Sequence, residues 1–319
     1  MRRFALLLAP LLVASAALTA CSSSSSGGGS SSSPNAKVSV TGSFGAQPKV
    51  AIPKATAGSN LHVQTLISGH GPALPSTDAL LGNYTVYIWH GSTSKLAQST
   101  YDKVPALFAG HLLPGLTAAL KDAKVGSRVL AVIPPKYGYG TQGNSQGGVA
   151  PTDTLVFVID VLKAFAKNAS VSGKSVSSGG HGLPTVSTSN PPKITIPKSG
   201  QPPSSLVSKP LINGSGPVVS KGQYVIAQYV GVIWRTGKVF DASEVDGAPF
   251  GFQIGATPTQ VIPGWNDGLI GKKVGSRVML VIPPKDGYGK QGSSQAGIKG
   301  TDTLVFVIDL LAAYTPQTA

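Results

Sequence analysis

The sequence predicts an α+β chain of two similar domains, each a sheet wrapped on one short helix. Lys124 to Leu162 overlays Lys273 to Leu311 without a gap at a constant offset of 149, and 29 of the 39 positions are identical. Repeated units of well over ~50 residues mean a duplicated domain rather than a solenoid of short repeats. Runs rich in Val, Ile, Tyr and Phe and bounded by turn residues, such as Tyr224 to Val232 and Thr303 to Leu311, read as strands. Only one stretch per copy has helical spacing. In the second copy Pro263 and Gly264 break a strand-like run, and Trp265 and Leu269 then stand one turn apart on one face.

In chain order, the N-terminus comes first. Met1-Arg2-Arg3, the apolar run Phe4 to Leu18 and then Thr19-Ala20-Cys21 have the charged, apolar and small-residue order of a secretory signal. The Leu-Thr-Ala-Cys pattern resembles a bacterial lipobox, which implies lipidation of Cys21, export, and a lipid anchor on the outer face of a bacterial membrane. Cys21 is the single cysteine, so no intrachain disulfide is expected. Residues 22–36 open with a pure Ser and Gly tract that cannot pack a core and reads as a tether. The first copy is placed at 37–166 and the second at 191–314. Between them 167–190, rich in Ser, Gly and Thr, reads as a flexible linker.

The repeat begins before its identical core: Lys49-Val-Ala-Ile-Pro-Lys54 echoes Lys193-Ile-Thr-Ile-Pro-Lys198. Within the last strand of the second copy Leu304, Phe306 and Ile308 share one face by the period-2 rule, so Phe306 should point into the core. The loop before that strand carries two misleading motifs. Gly138-Tyr-Gly-Thr-Gln-Gly143 and Gly287-Tyr-Gly-Lys-Gln-Gly292 fit a dinucleotide pattern, and Gly143-Asn-Ser-Gln-Gly147 spells a nucleophile elbow. Both patterns need a strand-to-helix turn, and here more Gly, Ser and Gln and then a strand follow. No cofactor is expected. The five His (62, 70, 90, 111 and 181) form no ligand-spaced cluster, so no metal is expected either. The net charge of +14 is spread as single Lys and Arg through both halves, which argues against nucleic acid. It leaves a wall-binding lipoprotein as a minor reading.

The second copy gathers Tyr229, Phe240, Phe250, Phe252, Trp265, Tyr288 and Phe306 at turns and strand ends. With Ala227-Gln-Tyr-Val-Gly231, Gly237-Lys-Val-Phe-Asp-Ala-Ser243, Ala248-Pro-Phe-Gly-Phe252, Val261-Ile-Pro-Gly-Trp265, Val274-Gly-Ser-Arg277, Ile282-Pro-Pro-Lys-Asp-Gly-Tyr-Gly289 and Asp302-Thr-Leu-Val-Phe306, this copy resembles the FKBP-type peptidyl-prolyl isomerases over 205–314. The resemblance implies two FKBP-like domains, each a curled antiparallel sheet of five or six strands around one short helix. It implies that Trp265 floors a pocket walled by Tyr229, Phe240, Phe250 and Phe306 and completed by Val261, Ile262 and Ile298. The Ile262 N–H and the Tyr288 hydroxyl would bond substrate carbonyls, with Asp241 at the rim. The implied activity is isomerisation of X-Pro bonds in unfolded or exported proteins, with FK506-type macrolides as inhibitors and no cofactor. Where the family commonly carries an Arg after the Phe-Asp pair, this chain has Glu244-Val245-Asp246, so no Arg partner for Asp241 is expected there.

The first copy keeps Tyr139, Val149 and Phe157 but has Leu116 in the Trp265 position, with Leu116 and Leu120 keeping the core spacing of the helix. Trp89 is taken to replace Tyr229. Between Trp89 and Pro114 there are 25 steps against 34 between Tyr229 and Pro263, which makes nine residues missing. Matching Lys95-Leu96 to Lys238-Val239 puts Ala97 and Gln98 in the places of Phe240 and Asp241. The first domain is therefore expected to be degenerate, with activity mainly in the C-terminal domain. The alternative is a non-catalytic chaperone or partner-binding lipoprotein, for which the aromatic set would be superfluous.

Overall fold

A computed structural model describes residues 37–73, 79–176 and 182–316. The expected signal sequence, Cys21 and the Ser/Gly tract lie outside the described residues. The chain divides into two units near residue 165, each with its own antiparallel sheet and one short helix.

The first unit consists of β1 (His62–Ile67), β2 (Ala79–His90), β3 (Thr93–Ser99), β4 (Ala106–Phe108), α1 (Pro114–Leu120), β5 (Arg128–Ile133) and β6 (Thr154–Phe165). Its six-stranded sheet runs β1-β5-β6-β2-β3, with β4 also paired to β2. The second unit repeats this as β7 (Val207–Ile212), β8 (Tyr224–Ile233), β9 (Val239–Ala242), β10 (Phe250–Gln253), α2 (Pro263–Leu269), β11 (Arg277–Ile282) and β12 (Leu304–Tyr314). Its order is β7-β11-β12-β8-β9, with β10 paired to β8.

Strand alternation sorts the side chains of the second unit into two clusters. Leu304, Phe306 and Ile308 of β12 join Val278, Leu280 and Ile282 of β11 on the inner face against α2. Val305 and Val307 join Met279, Val281, Val230 and Trp234 on the outer face. Phe306 points inward as its period predicts. The helix starts where Pro263 supplies a fixed φ at the first helical position and needs no N–H partner. It lies close on the sheet because Gly264 has no side chain: a Cβ there would stand 2.6 Å from Ile282 Cγ2.

A short hairpin covers the outer face in each unit. Ser39–Thr41 pairs with Lys49–Ala51 and buries Val38, Val40 and Val50 against Trp89, Leu130, Val132, Val156 and Val158. Thr185–Val186 pairs with Ile194–Thr195 and sets Leu183, Val186 and Ile194 on Trp234, Met279, Val281, Val305 and Val307. The described part of 167–190, expected as a free linker, is therefore docked on the second unit. The Val176 N–H donates to the Leu211 carbonyl at 2.7 Å, and the Val171 N–H donates to Asp309 Oδ2 at 3.2 Å. The Ser-rich composition hid the few apolar residues that close the outer face.

Candidate active site

The inner face of the second sheet carries the aromatic residues, each brought in by a different element. Strand β8 contributes Tyr229, β9 Phe240 and Asp241, β10 Phe250 and Phe252, α2 Trp265, and β12 Phe306. Trp265 stands at the centre with rings set edge-on around it: Tyr229 at 5.1 Å, Phe306 at 5.2 Å, Phe252 at 5.3 Å and Phe250 at 6.2 Å between centroids. Phe240 meets Phe306 edge-on at 5.5 Å. Edge-to-face pairs place a positive ring edge on a negative ring face, and each is worth about 0.5–1.5 kcal/mol beyond area burial. Ile298 is buried in the same cluster, and Val261 and Ile262 pack on it half-buried. The structure thus gathers nine of the ten predicted residues in or beside one cluster. The tenth, Tyr288, sits 41% exposed on the loop after β11.

The cluster reaches the surface along Phe250, Val261 and Ile262, all half-buried. Two polar groups meet it there. Ile262 is the residue before α2, and its N–H has no backbone partner among the described residues. The Trp265 indole N–H is buried and likewise without a partner among them. Burial pushes the Tyr288 phenol above its ordinary range, and the nearby Asp241 charge adds to this, so the hydroxyl stays a donor at neutral pH.

Asp241 has a partner other than an Arg. The Tyr229 hydroxyl donates to Asp241 Oδ2 at 2.6 Å, a short charge-assisted bond. Sequence reasoning looked for the partner after the Phe-Asp pair and missed it twelve residues before. It also missed Ser243, whose Oγ accepts from the Tyr229 N–H at 2.9 Å and donates to the Gln228 side chain, fixing the turn that follows Asp241. Phe252 belonged to the aromatic set without a place in the site. It is buried under Trp265 and stacked on Phe250 at 5.5 Å.

The first unit gives the same frame with a different filling. The Tyr84 N–H donates to Thr100 Oγ1 as the Tyr229 N–H donates to Ser243 Oγ, each at 2.9 Å, so Tyr84 is the counterpart of Tyr229. This corrects the assignment of Trp89 to that place. Trp89 lies on the outer face and donates its indole N–H to the Ala55 carbonyl, and it corresponds to Trp234. An odd spacing of five from Tyr84 puts it on the other side of the sheet. From Tyr84 to Pro114 there are 30 steps against 34 from Tyr229 to Pro263, so the wall is four residues shorter, not nine.

The strand register carries the comparison further. Gln98 pairs with Val86 where Asp241 pairs with Gly231, which supports Ala97 and Gln98 in the places of Phe240 and Asp241. Ala106 pairs with Gly82 where Phe250 pairs with Ala227. Val86 therefore stands in the place of Gly231. A Cβ on Gly231 would meet Phe306 Cε1 at 2.7 Å and Phe240 Cζ at 3.0 Å, whereas the fully buried Val86 fills the space that the missing Phe240 ring leaves. Two aromatic walls and the Trp265 floor are gone from the first unit, and an aliphatic side chain fills part of the gap.

Both domains are similar to known proteins. The family model described as FKBP-type peptidyl-prolyl cis-trans isomerase matches residues 76–162 and again 216–311, together more than half of the chain. An FK506-binding protein from Streptomyces anulatus is 46% identical over 121 residues, covering 38% of this chain and 95% of that protein. A probable FK506-binding protein from Corynebacterium glutamicum is 40% identical over 122 residues, covering 38% of this chain and 98% of that protein. Among solved structures, FkpA from Escherichia coli is 34% identical and covers 37% of this chain and 54% of that chain, with a TM-score of 0.32.

Proposed function

This chain belongs to the FKBP-type peptidyl-prolyl cis-trans isomerase family, and we propose that its second domain is the catalytic one. The observation that carries the reading is the ring of Tyr229, Phe250, Phe252 and Phe306 around Trp265, which the first domain does not reproduce. Rotation about a peptide C–N bond is opposed by its partial double bond, with a barrier of about 18–20 kcal/mol, and an X-Pro bond isomerises uncatalysed over tens to hundreds of seconds. Twisting the bond removes the resonance, and the carbonyl loses polarity on the way. A surface lined with aromatic rings sets the proline ring on Trp265 and removes water from the imide, which favours the less polar twisted form over the planar one. The Ile262 N–H and the Tyr288 hydroxyl hold the flanking carbonyls and fix the direction of the peptide. The Tyr229–Asp241 bond sets the rim. Such catalysis needs no nucleophile, because the bond is rotated and never broken.

An FK506-type macrolide would occupy the same surface. The substrates proposed are X-Pro segments of exported proteins, met at a membrane surface to which lipidated Cys21 and the Ser/Gly tract tether the folded domains. Replacing Cys21 by Ala should move the chain from the membrane fraction to the soluble one, and retention in the membrane would sink the anchor. The activity is tested with the full chain in a proline-peptide isomerisation assay. Trp265→Leu copies Leu116, which the same helix accommodates in the first domain, so the fold is expected to survive. We expect kcat/KM to fall by roughly tenfold or more, about 1.4 kcal/mol of transition-state stabilisation. A wild type without activity would leave the chain a binding protein, and an unaltered variant would move the activity away from this site.

A further inference from the structure

On the outer face of the second sheet, opposite the aromatic cluster, the structure assigns a second peptide site: a groove over the buried Arg277–Asp309 pair that takes the main chain of an unfolded segment. Arg277 and Asp309 are each about 4% exposed, and the guanidinium gives Nε to Oδ1 at 2.7 Å and Nη2 to Oδ2 at 2.9 Å. Among the described residues its third nitrogen, Nη1, reaches only the Ser189 carbonyl at 3.5 Å, beyond the range of a good hydrogen bond. Asp309 Oδ2 accepts a further, long bond of 3.2 Å from the Val171 N–H.

The first domain shows what such a pair takes up when it is filled. There Arg128 and Asp160 form the same fork at 2.6 and 2.7 Å, and the loop of the covering hairpin is seated on it. Arg128 Nη1 donates to the Gly42 carbonyl at 2.8 Å and Nη2 to the Ala46 carbonyl at 2.7 Å, while the Gly45 N–H donates to Asp160 Oδ2 at 2.8 Å. Two main-chain carbonyls and one main-chain N–H thus complete the pair. In the second domain the loop is two residues shorter, 188–192 between paired Ser187 and Lys193 against 42–48 between Thr41 and Lys49. It stands back from the pair, and a groove of ≈ 290 Å³ opens over Leu211, Ile212 and Arg277 between Ser172, Ser175 and Thr188. One water takes up only about 30 Å³ in the liquid, so the groove admits more than a single bridging solvent molecule. Asp309 already neutralises Arg277, which favours a neutral amide over a free anion, and the seryl rim supplies further hydroxyls. A client chain could thus be held at a point remote from the proline being turned.

The test uses the full chain and the acetylated, amidated pentapeptide Gly-Ser-Phe-Gly-Ala, the sequence of residues 42–46, which contains no proline. NMR titration follows the Arg277 Nε–H and the amides of Val176 and Ile212. Saturable shifts at millimolar peptide are expected, unchanged when an FK506-type macrolide fills the aromatic site. Arg277→Met should abolish them but risks the fold. Thr188→Trp, on the exposed rim, should weaken binding tenfold or more and leave the rest of the spectrum in place. No saturable shift at these residues, shifts that persist in Thr188→Trp, or shifts lost on adding the macrolide would each overturn the site.

Discussion

Gly231 carries no side chain because two rings occupy the space one would need, with Phe306 at 2.7 Å and Phe240 at 3.0 Å from a Cβ built there. Its counterpart Val86 is tolerated only beside Ala97, where the second ring is gone. Gly231→Val is therefore expected to push both rings aside, at about 1–3 kcal/mol of stability for overpacking. We expect kcat/KM to fall at least tenfold while the domain still melts cooperatively. Activity at the wild-type level in a folded variant would show that these two rings do not shape the site. The aromatic set was legible at this scale through the segments that resemble the family, and the structure brings Tyr229, Phe240, Phe250, Trp265 and Phe306 into one cluster. Two things were not. The Asp241 partner is a hydroxyl on a neighbouring strand, a contact that chain spacing does not display. The place of Tyr84 was hidden by Trp89, although Tyr84-Thr-Val-Tyr-Ile-Trp89 runs parallel to Tyr229-Val-Gly-Val-Ile-Trp234. Counting faces along the strand separates the two residues.

Among the elements, the helix was readable from Pro263-Gly264 and the strands from their composition, but the loop from β11 to β12 is held by a contact that composition does not show. Asp302 accepts from the Lys299 N–H at 2.8 Å and binds Arg235 through both oxygens at 2.8 and 2.9 Å, pinning the turn after Ile298 to the end of β8. The Arg235 guanidinium, helped by the Lys299 N–H and opposed by burial, holds the Asp302 carboxyl below the ordinary carboxylate range. A lowered pKa in the fold means that the unfolded chain takes up the proton first as pH falls. The stabilisation is thus complete above about pH 4, the unperturbed Asp value, and is lost as pH falls through the folded value. Asp302→Asn should lower stability at pH 7, by losing the charged fork to Arg235 and weakening the bond to Lys299, and change it hardly at all well below pH 4. Chemical denaturation at the two pH values measures this, and an equal cost at both would remove the charge from the explanation. The linker shows the opposite limit of legibility. Its Ser and Gly predict a tether, yet Leu183 and Val186 help to dock it, because the apolar outer face of Met279, Val281, Val305 and Val307 is buried beneath them.

As a whole molecule the chain holds one frame twice and one aromatic site once. The first domain keeps the parts that build the sheet and helix, including the buried Arg128–Asp160 fork, and it lacks the counterparts of Trp265, Phe240 and Phe250. Leu116, Ala97 and Ala106 stand where Trp265, Phe240 and Phe250 stand in the second domain, and Val86 takes up room that those rings would bound. A macrolide or a prolyl segment would gain its affinity from apolar area laid against such rings, about 25 cal/mol for each Å² removed from water, so losing two walls and the floor removes most of the gain. Calorimetric titration of the full chain with an FK506-type macrolide should accordingly give one site per chain, and Trp265→Leu should abolish the measurable heat. Two equivalent sites would mean that the first domain recognises its ligand with Tyr84 and Phe157 alone, and the division of roles between the copies would then have to be abandoned.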